Sequence, residues 1–169
     1  MLLKGFLIWL IISGSFETFS QYENLPLPAD QVLALLPEKI SGFNLSAAPR
    51  SKVIKLGTLQ YSMAEKDFKA SRAGSIKILL FDYKGAPIMF TQATRKWATF
   101  QTIESDSIIR RPTRVNDCIG MESYNARTKQ SQILLGIYNR FYLTLEGTKV
   151  DLEFLEKVLQ EFKLETFPK

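Results

Sequence analysis

Ser75–Tyr83 reads SIKILLFDY, and how this stretch is read decides the fold. Ile76, Ile78 and Leu80 recur at every second position, the period of a strand, and so line one face. Leu79 and Phe81 belong to the other face, which predicts a strand apolar on both sides. Turn-forming residues bound it, with SRAG at Ser71–Gly74 before and KGAP at Lys84–Pro87 after.

Toward the N-terminus, a first strand region is expected from about Val53 to Phe68, its alternation clearest in Leu59, Tyr61 and Met63. Val32, Leu35 and Leu36 space an apolar stripe for a short helix. Pro28 is placed as an early helical residue, Pro37 closes the helix, and Gly42 follows in a loop. Residues 21–30 (QYENLPLPAD) alternate proline with other residues and read as an extended arm leading into a single domain over 31–169. Toward the C-terminus, Pro87 suits the start of a helix over 88–100, where Met89, Phe90, Ala93 and Trp97 fall at helical spacing; a strand is the competing reading. Residues 101–113 are polar and then basic, and read as a loop. Three strands follow, at about Arg114–Tyr124, Gln132–Tyr138 and Phe141–Glu146. Asp151 is placed as the cap of a last helix whose apolar face is Leu152, Leu155, Val158, Leu159 and Phe162, with the tail LETFPK lying along the sheet. Strands joined by short turns favour antiparallel pairing. The expected fold is therefore α+β, an antiparallel sheet of about five strands with N-terminal, middle and C-terminal helices packed on it.

The succession LLPEKISGF (35–43), SIKILLFDY (75–83), NRFYLTLEG (139–147) and a C-terminal amphipathic helix resembles small bacterial envelope proteins. It is also similar in pattern to the αβ sandwich of the PsbP-like fold. No motif in it carries a functional residue across.

The chain begins MLLKGFLIWLIISGSFETFSQ, which has the three parts of a secretory signal peptide over 1–20. Lys4 supplies the charge, Gly5–Ile12 the apolar run, and Thr18 and Ser20 the small residues before a cut between Ser20 and Gln21; a cut after Ser15 is the second possibility. A membrane-spanning helix needs about 20 apolar residues, and Glu17 interrupts well before that. An uncleaved N-terminal membrane anchor and a core strand are the alternatives. The only cysteine is Cys118, so no cysteine stands after the run to be lipidated. A secreted or periplasmic protein is expected, without a stable membrane span once cut.

The 46% hydrophobic content suits a globular domain, and a chain of this size can bury about 68–70% of its unfolded surface. One cysteine precludes an intramolecular disulfide, and Cys118 is read as a buried small hydrophobe. The chain has no histidine, which removes Ser-His-Asp and Cys-His nucleophiles and histidine zinc sites. Neither a Gly-rich dinucleotide motif nor a P-loop is present. No cofactor, metal or catalytic residue is assigned. A small hydrolase using carboxylates or Ser-Lys chemistry is the alternative, with Glu104, Asp106, Asp117 and Glu122 as its available acids.

IIRRPTR (Ile108–Arg114) is the most pointed local feature. Arg110, Arg111 and Arg114, with Arg95 and Lys96 upstream, are expected to make a fork for phosphate or carboxylate on a lipid head group, acidic polysaccharide or acidic envelope or extracellular protein. The plainer reading is a solvated loop paired with Glu104, Asp106 or Asp117. The net charge of +5 is modest for nucleic acid, which is not expected as a partner. Tyr138, Phe141 and Tyr142 are read as core aromatics, with a ligand-facing patch as the alternative. Asn44-Leu45-Ser46 is a glycosylation acceptor only in a eukaryotic host. The function expected is a non-catalytic exported binding or accessory protein. A structural or inhibitory protein acting through an apolar patch or sheet edge is a third reading.

Overall fold

The computed structural model describes residues 24–71 and 74–169. The leader 1–20 and the Ser20/Gln21 cut lie outside the described residues. In chain order the elements are α1 (Ala29–Ala34), β1 (Phe43–Leu45), β2 (Arg50–Leu56), β3 (Leu59–Ala70) and β4 (Ser75–Asp82), then α2 (Pro87–Thr94) and a 3-10 turn at Trp97–Thr99. β5 (Ile103–Glu104), β6 (Ile108–Val115), β7 (Cys118–Asn125), β8 (Gln130–Ile137), β9 (Phe141–Thr148), α3 (Leu152–Gln160) and a second 3-10 turn at Leu164–Thr166 complete the order.

The strands of the described residues form one nine-stranded antiparallel sheet, ordered β1-β3-β4-β9-β8-β7-β6-β5, with β2 paired to β3 off this path. β2 shares the outer edge of β3 with β1, holding Leu59–Glu65 while β1 holds Phe68–Ala70. Two meanders, β2–β4 and β5–β9, meet where β4 pairs with β9. The connection between them carries α2 and delivers the chain to the far edge.

This overturns the expected α+β fold of about five strands with helices packed on it. The described residues are mostly β, and the three α-helices among them are short, at six, eight and nine residues. Three misreadings account for the difference, the first being that the chain after Gly42, read as loop, pairs as β1. The supposed single strand 53–68 is a hairpin that turns at Gly57, whose φ of +60° suits glycine. The supposed basic loop 101–113 is β5 and most of β6. β6 is an edge strand for most of its length, because β5 covers only Arg110 and Ile109. Its residues are mostly exposed, so no alternation of apolar and polar side chains marks it. Pro112 is tolerated there because β5 does not reach it. The middle helix is also shorter than 88–100, beginning at Pro87 and ending at Thr94.

Directly paired residues share a face, so the register divides the sheet into two. Ile76, Ile78 and Leu80 stand with Leu143, Leu145, Ile133 and Leu135 on one side, all essentially inaccessible to water. Val32 from α1, Leu36 just past its end, and Leu155, Val158 and Leu159 from α3 join this core. α3 starts where the sequence places its cap: Asp151 Oδ1 accepts a hydrogen bond from Phe154 N–H at 2.8 Å. Pro28 is the residue before α1 rather than within it. Lys66 is buried on the same face, and its Nζ donates to the Leu36 and Pro37 carbonyls just past α1, at 3.2 and 3.1 Å. Burial pushes its pKa down, against the opposing pull of Glu38. Cys118 is buried as expected, and burial raises its thiol pKa, away from the thiolate that reactive cysteines need. Phe141 packs edge-on against Phe167 of the tail.

One end of this face is locked by charge. The Asp82 carboxylate accepts from Arg140 Nε at 2.8 Å and Nη2 at 2.7 Å, from Leu27 N–H at 2.7 Å and from Lys84 N–H at 3.0 Å. Both side chains are almost fully buried. Arg140 is delivered by a tight turn in which Tyr138 and Asn139 both have positive φ, the arrangement of a type I′ hairpin. Ser62 Oγ donates to the Leu27 carbonyl, so the arm is held on both of that residue's backbone groups. Gly85 lets the arm approach this closely, since a Cβ there would stand 2.5 Å from Gln60 O and 2.9 Å from Asn24 O.

Candidate functional site

The other face of the sheet is only partly covered. α2 and the 3-10 turn lie over one end of it, where a Cβ at Gly136 would meet Phe90 Cζ at 3.1 Å and Trp97 Cζ3 at 3.2 Å. An aromatic cluster continues across the strands, with Phe81 stacked on Tyr83 at 5.6 Å and Trp97 tilted over Tyr142 at 5.6 Å. Burial, with Tyr61 and Tyr142 adding, pushes the Tyr83 phenol up to about 12.

Beyond the aromatics the face is polar. One register row runs Asp67, Lys77, Glu146, Gln132, Ser123, Arg110 across six adjacent strands. Its charges near β3 pair among themselves: Lys77 Nζ lies 3.0 Å from Glu65 Oε1, and Arg50 Nη2 lies 2.7 Å from the same oxygen. Burial tends to raise the Glu65 pKa, but Lys77 and Arg50 outweigh it and hold the carboxyl below its ordinary value. Farther along, Gln132 Nε2 donates to Glu146 at 3.2 Å. At β6, the Arg110 that ends this row makes no ion pair among the described residues.

There, between α2 with its following turn and the sheet, lies a cleft of about 320 Å³. Trp97, Phe100, Met121 and Leu134 give it an apolar floor, with Ser123 and Gln132 beside them. Arg95, Lys96 and Arg110 border it, all three exposed. None of the three makes an ion pair among the described residues. A second cleft of about 340 Å³ continues past Arg110, Ser123 and Gln132 toward Asn125, Gln130, Glu146 and Thr148.

Three of the five basic residues singled out in the sequence therefore meet, and two do not. Arg111 and Arg110 are neighbours in a strand and point to opposite faces. Arg111 takes the helical face, where its Nε donates to buried Glu122. Arg114 shares the face of Arg110 but sits opposite Ile119, outside the cleft. A fork of Arg110, Arg111 and Arg114 requires a loop that the chain does not form. The apolar floor was missed: Met121 and Leu134 lie on strands read correctly as strands, but nothing local says that α2 closes over them.

Of the acids considered for catalysis, Glu104, Asp106 and Asp117 are exposed and Glu122 is tied to Arg111. Among the described residues no group of three or more His, Cys, Asp or Glu side chains could hold a metal ion. No described helix is long and apolar enough to cross a membrane. Comparison with family models, curated proteins and solved structures finds no match.

Proposed function

We propose that this protein is an exported, non-catalytic binding protein that captures an anionic ligand in the cleft between α2 and the open sheet face. Export rests on the signal-like residues 1–20, and N-terminal sequencing of the protein from its host's cell fractions checks it: a chain starting at Gln21 or Phe16 outside the cytoplasm supports export. The observation that carries the binding reading is the meeting of Arg95, Lys96 and Arg110, drawn from two separate segments, around one apolar-floored cleft whose one acidic lining residue, Glu122, is already paired with Arg111. The contrast with Arg111 and Arg140 is what makes this informative, since each of those is satisfied by an acid on a neighbouring strand. A non-catalytic role is favoured because the two buried carboxylates among the described residues, Asp82 and Glu122, are each held by an arginine.

The direct test uses 8-anilinonaphthalene sulfonate, an apolar aromatic monoanion, as a fluorescent probe. The full-length protein should bind it at neutral pH, and the triple charge reversal Arg95→Glu, Lys96→Glu, Arg110→Glu should weaken binding at least ~10-fold, the loss expected from removing charge-assisted hydrogen bonds. The melting temperature should barely change, because all three side chains are exposed. Unaltered probe binding in the triple variant would refute the site.

A further inference from the structure

Resting on that reading of the cleft, we infer that its ligand is a single-chain amphiphile: one acyl chain ending in one anionic head group. Four features narrow the class. The floor of Trp97, Phe100, Met121 and Leu134 is apolar, and Trp97 and Met121 are each only 7% exposed, so a small inorganic anion would leave most of the cleft unused. The cations stand exposed at its border, where a charged head can keep part of its hydration while the chain lies inward along the floor. The volume of about 320 Å³ is at the lower limit of small-molecule sites, roughly 300–1,000 Å³, and suits one chain rather than two.

The fourth feature is a repulsive one. The adjoining cleft offers amides and hydroxyls from Asn125, Gln130, Gln132 and Thr148, but it also contains the Glu146 carboxylate. A polyanion running from Arg110 into that cleft would meet Glu146, and Arg111 and Arg114 are not there to offset it. An acidic polysaccharide is therefore disfavoured. A single negative charge at the Arg95, Lys96 and Arg110 end meets only Glu122, which Arg111 already neutralises, and neutral polar parts of a head group can extend toward Gln132.

Calorimetric titration of the full-length protein with acetate, octanoate, decanoate and dodecanoate, each below its micelle concentration, tests this. Binding should tighten about 3- to 4-fold per added methylene until the floor is filled. Uncharged decanol should bind at least ~10-fold more weakly than decanoate, and Arg110→Glu should reduce decanoate binding by a similar factor. Leu134→Asn should flatten the chain-length dependence. Dodecyl phosphate run beside dodecanoate tells the two head groups apart: the tighter binder assigns the head, and failure of both overturns the inference. Equal affinity for acetate and dodecanoate, both lost in Arg110→Glu, overturns the amphiphile while leaving an anion site. Chain-length-dependent binding indifferent to Arg110→Glu overturns the cationic reading of the cleft itself.

Discussion

The two faces of the central strands are built from alternate residues of the same segments, yet they have opposite character. On the helical side of β4, β9 and β8, Ile78, Leu145 and Ile133 stand in one row, buried and in contact with the helical layer. The next row on the open side is Lys77, Glu146 and Gln132, hydrogen-bonded among themselves and their neighbours and facing water. Strand geometry makes this separation possible, because each residue commits to one face and leaves its neighbour to the other. Stability is concentrated on the filled face. The open face can carry unpaired cations and a cleft without loss of the fold.

Three measurements can break or sharpen that contrast. The largest effect is expected where charge is locked into the filled side. Arg140→Met leaves the Asp82 carboxylate buried and alone, and should cost about 3–5 kcal/mol in urea unfolding. A loss below ~1 kcal/mol would show that water reaches Asp82 and that this end of the core is not closed. Next comes a paired comparison across the sheet. Leu143→Ala should cost about 2–5 kcal/mol through the cavity it leaves, while Gln132→Ala on the open side should stay within about 0.5 kcal/mol. Similar losses for the two would erase the distinction between the faces.

The smallest effect tests the covered end of the open face. Tyr83 has a folded-state pKa of about 12, raised from an ordinary 10.0. Its neutral form contributes stability that is fully present below pH 10.0 and is lost as pH rises toward about 12. Melting temperatures at both ends of that window should therefore fall further in the wild type than in Tyr83→Phe. Parallel declines would mean that the aromatic cluster is open enough to hydrate the phenolate.

Much of the core was legible because burial leaves a pattern. β4, β8, β9 and α3 were placed close to their true limits from apolar periodicity, and the Asp151 cap from its side-chain chemistry. The strands that were missed lack such a pattern. β1 is three residues long, β5 two, and β6 is an exposed edge stabilised by pairing to β7 rather than by burial of its side chains. Glycine at 57 signals a turn, but its meaning depends on the partner strands on either side. The candidate site was half legible. The cations were named from sequence, whereas their grouping followed from strand parity and from the path of α2.

By itself, then, the sequence determined the buried strands, the helix cap, the absence of histidine chemistry and the basic character of 95–114, because these depend on local composition and on periods of two or 3.6 residues. Only the tertiary structure decided the order of nine strands, the pairing of Asp82 with Arg140 across 58 residues of chain, and the exclusion of Arg111 and Arg114 from the cleft. Those outcomes depend on register and on contacts between distant segments. A side chain's type says what it can bind; the strand beside it decides whether that capacity is already used.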